Sequence, residues 1–292
     1  MCKTVFLKFL SLSFVLTLCF GAPLFMKYFT KGFHPARFLL EVPAHVDRNI
    51  PLDVLDKKEL LPILSQPFFY LNRGAQCFVF ESQDRKYVMK IFHESRPSPL
   101  FSKWKKQIKI QRNSAKPQRA KRTGFEGCLI AYRAAREETG LLYLHPYPTE
   151  NELPKARVSD PIGRVYHLPL DRYFFLIQKK ADSFKETLFK ASLEGDLTLY
   201  FHSYFSLLTS RIGKGIWNED TSLSSNFGFL GSQAIEIDFG RYIQRDCFLD
   251  QKFQEMEMKR FTNKLRTFVS LHLPDELARF DRDLAQFQEN RR

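Results

Sequence analysis

"GIWNEDTSLSSNFGFLGSQAIEIDFGRY", Gly215 to Tyr242, is the stretch on which the fold turns. It spaces Asp220, Asn226 and Asp238 between short apolar runs and ends in Asp-Phe-Gly. "NFGFL" and "AIEID" read as two strands joined through Gly231-Ser232, a hairpin that brings the side chains of Asn226 and Asp238 together. A carboxylate beside an amide oxygen is the hard-oxygen pair that a magnesium–phosphate site uses. Asp and Asn also end strands as ordinary caps and turns, so this stretch alone is open to both readings.

Upstream, "FFYLNRG" and "QCFVFESQDRKYVMKIF" alternate aromatic and β-branched residues and predict three strands. Asn72-Arg73-Gly74 and Ser82-Gln83-Asp84 supply the turns. Lys90 stands among Val88, Met89, Ile91 and Phe92. A lysine in a buried strand needs a partner, because an unpaired buried charge is costly; a water-facing edge lysine is the plainer alternative. "RTGFEGCLIAYRAAREETG" has apolar residues at three- and four-residue spacing and reads as a helix carrying Glu126, with Gly140 as its stop. "LLYLHPY", "GRVYHLPL" and "RYFFLIQKK" predict further strands, the last running into a polar segment at Gln178. Beyond Ala181 the pattern turns helical, in "GDLTLYFHSYFSLLTSRIGKG" and in two tail helices divided by Leu273-Pro274-Asp275. The order is that of an α+β fold.

Taken together, these pieces resemble the protein-kinase-like fold over roughly residues 66 to 245: a glycine turn, a strand lysine, a helix glutamate, a hinge strand, an Asp…Asn loop and Asp-Phe-Gly. The resemblance implies a two-lobed fold with a reduced helical C-lobe, and the uncharged run at residues 9 to 26 adds an N-terminal hydrophobic helix before it. It implies that ATP and Mg2+ are the cofactors. Gly74 would cover the phosphates, Lys90 would contact them and pair with Glu126, and Gln178 to Ala181 would line the adenine through backbone groups. Asn226 and Asp238 would hold the metal, and Asp220 would be the catalytic carboxylate.

The departures are specific. Asn72 and Cys77 stand where two further loop glycines belong, and Glu137 or Glu138 competes with Glu126 as the partner of Lys90. Asn218 and Glu219 precede Asp220, Asn226 follows it by six residues, and Ser222 stands where a lysine is expected. After Gly240 only 52 residues remain, too few for a full kinase substrate lobe.

Composition sets the frame. A chain of 292 residues that is 44% hydrophobic and has 30 phenylalanines has the means to build a core, which excludes wholesale disorder. A net charge of +13 favours anionic partners. The five cysteines are scattered without a CxxC pair, which excludes a disulfide framework and a zinc site. Residues 9 to 26, "FLSLSFVLTLCFGAPLFM", carry no charge and predict a membrane anchor, with a cleaved signal segment as the rival. Residues 103 to 122 hold nine Lys or Arg and no acid, a basic insertion that would meet anionic lipid headgroups or serve as a solvated loop. Few aromatics lie among these charges, which disfavours nucleic acid.

The organisation expected is therefore an anchor or signal segment at 1–30, a linker at 31–65, an N-lobe at 66–181 and a helical C-lobe at 182–292. The function expected is a membrane-anchored, kinase-like protein with a cytoplasmic domain that binds ATP and magnesium and phosphorylates a small or lipid-linked acceptor. One alternative is a catalytically inactive pseudokinase serving as a binding module at the membrane. The other is an exported α+β protein with no nucleotide site.

Overall fold

Alternating apolar residues build the sheet that organises the chain. In a computed structural model, residues 25–26, 28–38, 57–93, 115–195 and 197–290 are described. After helix α1 (Lys57–Leu64), strands β1 (Phe68–Arg73), β2 (Cys77–Ser82) and β3 (Tyr87–Phe92) form an antiparallel meander. Phe78, Phe80 and Ser82 of β2 point inward, while Val88, Met89 and Ile91 of β3 are buried around Lys90. Helices α2 (Ala115–Ala134) and α3 (Arg136–Thr139) follow, then β4 (Leu141–His145), β5 (Lys155–Ser159), β6 (Val165–Pro169) and β7 (Phe175–Lys179). The sheet order is β4-β7-β3-β2-β1-β5-β6. Among the described residues only the β1–β5 pairing is parallel.

The remainder is mostly helical: β8 (Asp182–Ser183), α4 (Phe184–Glu194), α5 (Leu197–Gly213), β9 (Ile216–Asn218), α6 (Leu223–Asn226), β10 (Phe227–Leu230), β11 (Gln233–Glu236), β12 (Tyr242–Gln244), α7 (Gln251–His272) and α8 (Leu277–Glu289). This is an α+β fold. One face of the large sheet packs Phe33, Leu60, Phe68, Phe80, Met89 and Ile177. The other face packs Leu144 and Leu176 against Phe125, Cys128 and Tyr132 of α2, and against Phe239 and Tyr242. That second core ties α2 to the Asp-Phe-Gly segment. A third core gathers Phe184, Phe201, Phe205, Phe261 and Phe280 from the helices. Each fully buried phenylalanine contributes roughly 1.5–3 kcal/mol.

Gly140 ends α3 with a left-handed φ of 63°, as its position in the sequence predicts. The single helix expected over this stretch is broken at Ala135, whose φ/ψ of −136°/37° is not helical. The backbone of α2 already begins at Ala115, inside the basic segment 103–122, whose residues 103–114 lie outside the described residues.

The expected membrane contacts need correction. Among the described residues no helix is long and apolar enough to cross a membrane. Of the run 9–26, only Phe25 and Met26 belong to the described residues. The membrane-anchored reading and the cytoplasmic placement derived from it thus have no support among the described residues, and the lipid contact through 103–122 falls on side chains that lie outside them.

Candidate functional site

The β10–β11 hairpin pairs Phe227 with Glu236 and Leu230 with Gln233, leaving Gly231-Ser232 as a two-residue turn. Gly231 has φ 61°, the left-handed value such hairpin turns require. One step beyond the register, the Asn226 carbonyl accepts from Ile237 N at 2.6 Å and from Asp238 N at 3.3 Å. Asn226 and Asp238 are thus brought together as the sequence predicts, but their side chains differ in environment. Asn226 is 1% exposed. Its Oδ1 accepts from Ser225 Oγ at 2.9 Å, and its Nδ2 donates to the Asp220 carbonyl at 3.3 Å. Asp238 is exposed, and its Oδ1 caps Gly240 N at 3.1 Å.

Asp220 lies in a loop folded onto its own backbone. Its N–H donates to Asn218 Oδ1 at 2.8 Å, and its Oδ1 accepts from Ser222 N at 3.0 Å. Partial burial pushes its carboxyl up, but the bonds from Ser222 and Asn226 and the charge of Arg241 outweigh this and hold it below the usual carboxylate range.

Lys90 projects from β3 across to the hairpin. Its Nζ donates to the Ile237 carbonyl at 2.5 Å and lies 5.6 Å from the centroid of the Phe239 ring. Glu126 is on an exposed position of α2. Glu137 is exposed, and Glu138 is buried and bonds Lys214 and Ser210 Oγ on the helical side. Gly74 N donates to the Cys77 carbonyl at 2.9 Å, closing the turn before β2. Along the expected hinge, Gln178 is buried with Nε2 on the Thr139 carbonyl at 2.6 Å. Lys179 N and Lys180 N are taken by the Gly140 and Lys86 carbonyls at 2.9 and 2.8 Å. Ala181 packs against Gly228, where an added Cβ would lie 2.7 Å from its own Cβ.

Several residues here were not singled out in the sequence. A Cβ on Gly127 would come 2.2 Å from the Phe239 carbonyl oxygen, so α2 lies backbone-to-backbone on the Asp-Phe-Gly segment. A Cβ on Gly124 would meet Gln76 Oε1 at 1.9 Å. The signal was the pair of glycines three apart in a helix, a spacing that puts both on one face. Cys77 and Cys128 feel the charges of both Lys90 and Asp238. Burial pushes the Cys77 thiol up to about 11 against the pull of Lys90, and pushes Cys128 further, so both stay protonated.

Beneath the segment lies a buried ionic network. Arg211 Nε sits 3.2 Å from Glu236 Oε2, and its Nη1 donates to Glu257 Oε1 at 2.9 Å. Tyr242 OH donates to Glu236 Oε2 at 2.7 Å, and Asn218 Nδ2 donates to the other Glu236 oxygen. The two residues flanking Ile237–Arg241 are therefore both anchored in one network.

Asn226 has its amide buried and bonded at both ends, which leaves Asp238 as the one exposed carboxylate of the pair. Among the described residues no group of three His, Cys, Asp or Glu could hold a metal ion. In this arrangement the two side chains face different environments, and no chemical step is derived through a magnesium ion. The expected membrane-anchored, ATP- and magnesium-binding kinase acting on a small or lipid-linked acceptor is corrected accordingly.

No family model matches the chain, and no curated protein does. Among solved structures, the bifunctional kinase-methyltransferase WbdD aligns at 16% identity and a TM-score of 0.37, over 68% of this chain and 36% of that one. WbdD with the kinase inhibitor LY294002 aligns at 14% identity and a TM-score of 0.39, over 74% and 45%. The Legionella pneumophila Lpg2603 kinase bound to IP6 aligns at 11% identity and a TM-score of 0.29, over 66% and 56%. The chain spans about a third to just over half of the length of these structures. The similarity is distant, with every TM-score below 0.5, and says nothing of ligand or activity.

Proposed function

We propose that this chain is a catalytically inactive, kinase-like binding module, two-lobed with a reduced helical second lobe. The observation that carries this reading is the state of Asn226: the amide expected to share a metal with Asp238 is buried and braces the Asp220 loop. Lys90 supports it, because the ammonium expected at phosphates is bonded to a backbone carbonyl. The loop around Asp220 supports it too, with Ser222 where a phosphate-facing lysine is expected. Sheet, α2 and Asp-Phe-Gly segment then serve as a rigid scaffold whose surfaces carry the function.

ATP and magnesium, implied by the resemblance, are the natural probes. The full chain is incubated with radiolabelled ATP and magnesium, and label is followed into the chain itself, into generic protein acceptors and into free phosphate. The expected result is no transfer or hydrolysis above that of an Asp220→Ala variant. Transfer that disappears in the variant would overturn the reading.

A further inference from the structure

Strands β5 and β6 lengthen the sheet beyond β1, and their acids and bases are used differently. Asp160 is buried and accepts from Ile162 N at 3.0 Å, Arg164 N at 2.9 Å and Tyr166 OH at 3.3 Å, which fixes the β5–β6 turn. Asp171 accepts from Thr149 Oγ1 at 2.5 Å, Glu152 N at 3.0 Å and Leu153 N at 3.2 Å, which fixes the loop before β5. Both carboxylates are thus spent inside the structure. The bases are not: Lys155, Arg157 and His167 are exposed and make no ion pair among the described residues.

The register arranges what faces out. Phe69 pairs with Ser159 and Ser159 with Val165, so one row crosses three strands, with Phe69 and Val165 each 46% exposed. Two residues along, Arg157 pairs with His167, and two further along Lys155 pairs with Pro169. By the two-residue period of a strand, these rows share one face. It reads apolar, basic, basic. Among the described residues β6 pairs with β5 alone, so its second edge is open. An open edge with uncovered apolar neighbours is a template for an added strand.

We infer that β6 and the face of Phe69, Arg157, Val165 and His167 dock an acidic peptide segment in extended conformation, added as a strand at the β6 edge. Main-chain bonds to β6 supply affinity. An apolar side chain beside Val165 and carboxylates beside His167, Arg157 and Lys155 supply the selection. The inference rests on the reading of the chain as a binding module and names a surface and partner chemistry for it.

The test uses fluorescence anisotropy of a labelled peptide Glu-Thr-Glu-Thr-Val-Thr-Glu-Thr-Glu, which presents valine and glutamates on one face in either direction, with the full chain. Saturable binding is expected, weakened about ten-fold or more in the double variant Lys155→Glu/Arg157→Glu. Lys185→Glu/Lys190→Glu makes the same charge change on α4 and is expected to leave binding unchanged. A peptide of the same sequence with alternate backbone amides methylated keeps its charge, loses strand donors and is expected to bind about ten-fold more weakly. No saturable binding, equal loss in both double variants, or equal binding of the methylated peptide would each overturn the inference; the last two would mark a general attraction of the basic chain for anions. The phosphotransfer assay is a separate readout, so failure of the module reading is distinguishable from failure here.

Discussion

Lys90 and Ile237, 147 positions apart in the chain, are joined by a 2.5 Å bond from the ammonium to the main-chain carbonyl immediately before Asp238. This bond links β3 to the end of the hairpin, and the same ammonium lies 5.6 Å from the centroid of the Phe239 ring. A charged donor on a carbonyl in a half-buried place stabilises more than a neutral pair. Lys90→Met, which keeps the stem and removes the charge, is expected to cost about 1–2 kcal/mol in urea unfolding. It should also speed amide exchange around Ile237 to Gly240. Unchanged stability together with unchanged exchange would mean the bond contributes nothing.

The glycines of α2 give a graded test. Gly127 faces backbone, the Phe239 carbonyl and Gly240, which cannot move aside without parting α2 from the segment. Gly127→Ala is expected to cost roughly 1–3 kcal/mol or more by overpacking. Gly124→Ala meets the side chain of Gln76, which can swing away, and should cost less. Gly213→Ala, at the end of α5 with nothing within 4 Å of its added Cβ, should be neutral or stabilise by a few tenths of a kcal/mol. Thermal unfolding of the three variants checks the order, and equal effects at Gly127 and Gly213 would refute the close approach.

Much of this was legible from local chemistry. The hairpin that unites Asn226 and Asp238, the meander ending in "YVMKIF" and the stop at Gly140 all follow from period, turn residues and a glycine. Strand β5 was not legible, because "KARVS" has only two apolar residues and its neighbour β1 is remote in sequence. The Arg211–Glu257 pair spans 46 positions, and charges on apolar-faced helices look solvated until the fold brings them together. The partner of Lys90 is a carbonyl, which every residue has and no sequence pattern marks.

Arg211 is fully buried between two carboxylates, so Arg211→Met would leave Glu236 without its cation and Glu257 with Arg260 alone. The expected loss is about 3–5 kcal/mol, enough to unfold a marginal domain. Burial, partly offset by Arg211, holds the Glu236 carboxyl above its ordinary value of 4.5. A raised folded value means that the folded state binds the extra proton. The contribution of Glu236 is therefore complete below 4.5 and is lost as pH rises through the folded value. Glu236→Gln, which cannot titrate, should remove that part of the pH dependence in chemical denaturation series; an unaltered slope would count against it.

Asp171 works in the opposite sense. Partial burial raises its carboxyl, but Thr149 and the N–H groups of Glu152 and Leu153 bring it below its ordinary 3.8. Its contribution is present above 3.8 and lost as pH falls through the lower folded value. Asp171→Asn should be less stable than wild type at neutral pH, with the gap closing in acid. A gap that stays constant down to full acid unfolding would show that charge plays no part.

The most direct measurement of the central claim is turnover of radiolabelled ATP with magnesium by the full chain, beside Asp220→Ala and Asp238→Ala. The expected result is that all three are indistinguishable, with no label in any acceptor and no free phosphate above background. Turnover by the wild type that both substitutions abolish would contradict it, and would mean that the buried amide of Asn226 opens to complete a working metal site.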